Sequence, residues 1–72
     1  MDWVSLVGKN IRRLRRERDL TQEQLAHLAS IDMRYLGGVE RGEHNPTVDV
    51  LGRLATAMDV HPQDFFEDVE AG

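Results

Sequence analysis

Two helix-start signals stand at positions 21 and 32, and little besides a tight pair of helices fits the spacing between them. Thr21 followed three residues later by Gln24 has the form of a capping box, in which each side chain satisfies the other residue's backbone N–H. Leu25, Leu28 and Ala29 then provide the apolar stripe of a short helix over about 22 to 29. Ser30-Ile31-Asp32 leaves room only for a tight turn, and Asp32 is a good N-cap for another helix, with Leu36 and Val39 facing inward. Gly42 supplies its C-terminal stop.

The flanks follow the same period. Val4, Val7, Ile11 and Leu14 recur at helical spacing with Arg12, Arg13 and Arg16 on the remaining surface, which predicts a first helix over roughly 4 to 18, ended at Asp19. Glu43 to Pro46 reads as a loop, Asn-Pro turning the chain out of helix before Thr47 caps a segment lined by Leu51, Leu54, Ala55 and Met58. Pro62 suits the first position of a last short helix carrying Phe65 and Phe66. No strand-period alternation, repeat or low-complexity tract interrupts this pattern. The expectation is an all-α domain of five short helices filling residues 1–72, with a core over about 4–67 and a frayed tail at 68–72. Seventy-two residues, 40% of them hydrophobic and 31% charged, fill one globular core and no second.

Composition excludes several classes of function. There is no cysteine, so disulfides, thiolate zinc sites and thiol nucleophiles are all absent, in keeping with a reducing compartment. The apolar patch from Trp3 to Gly8 is too short for a signal-peptide core or a membrane span, so the expected location is the cytoplasm. His27, His44 and His61 fall on three different segments at spacings that fit no metal motif, and no nucleophile with a partner base is recognisable. Neither enzyme activity nor a cofactor is expected. The net charge of −4 is lopsided: residues 1–36 carry seven basic and five acidic side chains, +2, and residues 37–72 carry two and eight, −6. Such an asymmetry can orient a protein on DNA with its acidic end away, although a solvated basic helix face gives the same arithmetic.

Two short capped helices joined by a three-residue turn form the helix-turn-helix arrangement, which small helical bundles also share. The chain goes further. Leu20-Thr21-Gln22-Glu23-Gln24-Leu25-Ala26, Ile31-Asp32-Met33-Arg34-Tyr35-Leu36, Val39-Glu40-Arg41-Gly42, Asn45-Pro46-Thr47 and the Leu51, Leu54, Ala55 pattern together resemble the Cro/phage-repressor-like (Xre) helix-turn-helix family over about residues 7 to 67. That resemblance implies a lambda-repressor-like DNA-binding domain, a homodimer on a palindromic operator, and transcriptional regulation by occluding or contacting RNA polymerase. Phage-type repressors, restriction-modification controller proteins and antitoxins are the members of similar size. Carried over by position, Thr21, Gln22, Arg41 and Asn45 fall where relatives touch phosphate. Met33, Arg34, Gly37 and Gly38 fall where base edges are faced, and Arg15 with Glu40 matches a buried salt bridge. Val48, Val50 and Phe66, apolar beyond what the inward stripe requires, are the candidate dimer interface, with Phe65 assigned to the core.

Departures from the family pattern are equally specific. Asp19, Ser30 and Asp59 stand where relatives usually end helices with glycine, and serine gains little from a left-handed backbone. Gly37-Gly38 removes two side chains that would read bases, with a close backbone approach to DNA as the functional interpretation. A protein-interaction module or antitoxin-like adaptor that uses this fold without DNA is the competing class, favoured by the acidic second half and the paired glycines.

Overall fold

The computed structural model describes residues 1–68; of the tail expected to fray over 68–72, residues 69–72 lie outside the described residues. Its elements are α1 (Trp3–Glu17), α2 (Gln22–Ala29), α3 (Met33–Glu40), α4 (Val48–Met58) and a closing 3-10 turn, Pro62–Phe66. The expected fifth helix is therefore corrected to that turn: His61 caps it and Pro62 opens it, but five residues are too few to settle into α-geometry. No strand occurs among the described residues.

Each start is fixed by a side-chain cap. The Thr21 hydroxyl accepts the Gln24 N–H at 3.0 Å while Gln24 accepts the Thr21 N–H at 2.8 Å. Asp32 accepts from Arg34 and Tyr35, and Thr47 from Val50. Asp2 caps α1 through the Ser5 N–H, which places the helix start one residue before the sequence expectation.

The ends share one device. Leu20, Ile31, Glu43 and Val60 donate their N–H groups to the carbonyls of Arg15, Ala26, Gly38 and Ala55, each bond spanning a left-handed residue. Those residues are Asp19, Ser30, Gly42 and Asp59, with φ between 55° and 79°. Leu20, Ile31 and Val60 then fold back as apolar caps against the core. Three of the four terminators thus hold a backbone conformation that favours glycine without being glycine, and Ser30 has the least chemical reason to tolerate it.

Ile11, Leu25, Leu36, Val39, Leu54 and Phe65 are the fully buried apolar centre. Gly8 permits α1 to cross against α3, because a methyl there would overlap the Val39 carbonyl oxygen and stand 2.9 Å from that of Glu40. Asn10 is fully buried in the apolar stripe of α1, and its amide donates to the carbonyls of Phe65 and Glu67 at 2.8 and 2.7 Å. One side chain thereby ties the C-terminal segment to the first helix. No helix among the described residues is long and apolar enough to cross a membrane.

Candidate nucleic-acid interface

The angle between the helix pair and α1 is held by a carboxylate under the end of α3. Glu40 receives Arg15 Nε at 2.8 Å and Arg15 Nη2 at 3.1 Å, the two parallel bonds that a guanidinium fork makes with a carboxylate. Gln22 Nε2 donates a third bond to Glu40 at 3.0 Å, and Arg15 Nη1 reaches the Leu20 carbonyl at 2.8 Å. The Glu40 side chain is only 1% exposed and that of Arg15 10%. Residues from α1, α2 and α3 therefore meet at one buried charge, and the start of α2 is locked to the end of α3.

Above this network, Gln22 and Arg41 converge over Gly37. A methyl group built there would lie 3.1 Å from Arg41 Nη1 and 3.5 Å from Gln22 Oε1. Arg41 is also paired with Glu43 at 2.9 Å, both side chains being exposed. Its guanidinium, through hydrogen bonding first and charge second, holds the Glu43 carboxyl below the ordinary carboxylate value, and Glu43 raises Arg41 in return. Both exposed groups stay charged under all physiological conditions.

At the other end of α3, Met33 and Arg34 project from the first turn and are exposed. The Asp32 carboxylate is occupied by backbone N–H groups, and among the described residues no carboxylate pairs with Arg34, whose side chain is exposed to a ligand. Tyr35, in the same turn, is half-buried and stacks on His44 with ring centroids 5.4 Å apart and 19° between the planes.

Gly37 and Gly38 are not open backbone. Both are buried, and Gly38 is closed by the protein itself: a methyl there would overlap His44 Cδ2 and lie 2.7 Å from Nε2. The space beside Gly38 is taken by the His44 imidazole. Gly37 lies under Gln22 and Arg41, two of the side chains expected at phosphate. Asn45, in the loop after α3, is exposed and lines a cleft of about 190 Å³ with Trp3, Val4, Pro46, Leu51 and Phe66.

The expected dimer residues divide. Val48 is 85% exposed and Phe66 45%, whereas Val50 is partly buried against the core. Trp3, 58% exposed and tilted against Phe66 at 6.5 Å, extends the apolar surface in its place. Sequence reasoning missed Trp3 because it precedes the expected helix start. His27 is exposed, His61 caps the closing turn, and no group of three metal-ligating side chains exists among the described residues.

Residues 11–65 match the family model described as "Helix-turn-helix". Among curated proteins, an uncharacterized HTH-type transcriptional regulator, y4dJ of Sinorhizobium fredii, is 48% identical over 60 residues, covering 83% of this chain and 78% of that protein. Control protein C.SmaI of Serratia marcescens is 40% identical over 58 residues, 81% of this chain and 69% of its own. Among solved structures, the restriction-modification controller protein C.AhdI from Aeromonas hydrophila superposes with a TM-score of 0.85 at 41% identity, covering 88% of this chain and 96% of that one.

Proposed function

Since the chain belongs to the helix-turn-helix family, we propose that it is a sequence-specific DNA-binding transcriptional regulator that acts as a homodimer on a palindromic operator, in the manner of a restriction-modification controller protein. The observation that carries this reading is the first turn of α3, where an Asp32-capped helix start presents Met33 and Arg34, both exposed, at the end of α3 away from the Glu40 network. In the helix-turn-helix docking geometry that turn enters the major groove. Arg34 then donates two hydrogen bonds to O6 and N7 of a guanine, an interaction that discriminates by about 1 to 3 kcal/mol. Thr21, Gln22, Arg41 and Asn45 are assigned to phosphate, helped by the partial positive charge at the start of α2. Arg15 and Glu40 hold the frame and touch no DNA. Val48, Phe66 and Trp3 supply the apolar surface between protomers, which sets the half-site spacing. Regulation follows from occluding or contacting RNA polymerase at a promoter, in the cytoplasm, with no catalysis and no cofactor.

Selection of bound duplexes from a random pool tests the reading directly: a two-fold symmetric consensus is expected. On that site Arg34→Ala should lose more affinity than on random DNA and relax one symmetric base pair per half-site. Arg41→Ala should weaken both alike and flatten the salt dependence by about one unit of slope for each phosphate no longer neutralised. No enrichment from the pool at low salt would rule out the function, and uniform losses for both variants would remove Arg34 from base reading.

A further inference from the structure

Position 38 of α3 has no side chain of its own, yet the space one would occupy is filled. His44, from the loop after α3, lays the Cδ2 edge of its ring over Gly38 and stacks its face on Tyr35. Tyr35 and Gly38 are three positions apart and so lie on one face of the helix; Arg34 and Gly38, four apart, also adjoin. The imidazole therefore stands one helical turn beyond Arg34 on the same side of α3, where the sequence alone leaves a gap. The loop is fixed there by the Glu43 N–H bonded to the Gly38 carbonyl at 2.8 Å and by the Arg41 pair with Glu43 at 2.9 Å. His44 remains exposed although its ring is seated. Ordering an exposed loop side chain costs rotamer freedom, here offset by the stack and by packing on the helix backbone.

We propose that His44 is a specificity-determining residue of the DNA-reading face, an imidazole delivered from the loop to the place that Gly38 vacates. Gly38 serves as its seat, because any side chain at 38 displaces the ring, and Tyr35 fixes its plane. The assignment rests on the DNA-binding reading given above. It adds a polar ring, able to donate to or accept from a base edge, to a helix whose own residues at 37 and 38 carry none.

The test uses the duplex selected by the wild-type protein from a random pool and a scrambled duplex of the same composition. His44→Ala is expected to lose about tenfold or more on the selected duplex and much less on the scrambled one, the pattern of a base-reading residue. Gly38→Ala should give the same discrimination loss by unseating the ring. The double variant should be no worse than either single one, because both remove the same interaction. His44 is exposed, so His44→Ala should keep the wild-type melting temperature, and it decides the matter even if Gly38→Ala is unstable. Unchanged affinity and preference in His44→Ala, or an equal loss on both duplexes with a flatter salt dependence, would overturn the proposal while leaving the DNA-binding reading intact. Failure of the wild-type protein to select any duplex would overturn both.

Discussion

Replacing Glu40 by glutamine keeps the shape of the side chain and removes only its charge, which makes it the sharpest probe of how α1, α2 and α3 are joined. The carboxylate accepts three hydrogen bonds, two from the Arg15 fork and one from Gln22, with almost no access to water. An amide in its place turns an N–H₂ toward the guanidinium or toward Gln22, and the Arg15 charge stays inside without compensation. Breaking a buried pair in this way costs about 3 to 5 kcal/mol. Arg15 keeps the Leu20 carbonyl and a tenth of its side-chain surface, which places the expected loss near the lower end, about 3 kcal/mol. Stabilities of about 0.05 to 0.15 kcal/mol per residue give a domain of this size about 4 to 11 kcal/mol in total, so one amide removes a large share. At about 4 to 8 °C per kcal/mol the melting temperature should fall by at least about 12 °C in a circular dichroism melt. The matched control is Asp49→Asn, which breaks the exposed Asp49–Arg53 pair at 3.0 Å and should cost about 0.5 kcal/mol or less. If Glu40→Gln and Asp49→Asn melt together, the buried network does not join the helices.

Three further outcomes follow from the same geometry. Gly8→Ala and Gly52→Ala are chemically identical changes with opposite effects: the first forces α1 off the Val39 and Glu40 carbonyls and should destabilise the domain severely, whereas the second meets nothing within 4 Å and should stabilise by about 1 kcal/mol through helix propensity, both read from urea midpoints. Ser30→Gly should raise stability by about 1 kcal/mol by relieving the left-handed serine, and an unchanged or lower melting temperature would show that the turn is unstrained. Because Arg41 depresses Glu43, any stability that pair contributes is present above the ordinary carboxylate value and is lost only as pH falls through the lower folded-state value; an NMR titration should find Glu43 protonating at higher pH in Arg41→Ala, and identical midpoints would exclude the pairing in solution.

The helices are legible in the chain because their signals are local. Thr21, Gln24, Asp32 and Thr47 act within three residues of themselves, and the stripes from Val7 to Leu14 and from Leu51 to Met58 need only the helical period. Asp19, Ser30 and Asp59 stand out only against the family's glycines, since nothing intrinsic to serine announces a left-handed residue. Arg15 and Glu40 are likewise paired by resemblance, 25 positions apart, with no spacing rule that could join them. The stack of His44 on Tyr35 has no signature, and so nothing in the sequence shows that an imidazole lies over Gly38. Val50 reads as outward because its burial depends on where α4 packs, which sequence does not state. Asn10 does leave a sign: a lone amide between Val7 and Ile11 in an apolar stripe must find a partner inside.

That amide makes the C-terminal segment a hook. Both of its hydrogens hold carbonyls two residues apart on one short stretch, so releasing the side chain removes both anchors at once, and residues 62–68 should unlatch as one cooperative unit below the free energy of global unfolding. Hydrogen exchange would report such an opening as a shared protection factor across the segment. Phe66 rides on the same stretch, so its share of the apolar surface proposed to face a second protomer is in place only while the hook is engaged. A partner that binds the latched form must then lower the population of the unlatched one by a factor that grows with its concentration, making hydrogen exchange in this turn a readout of assembly.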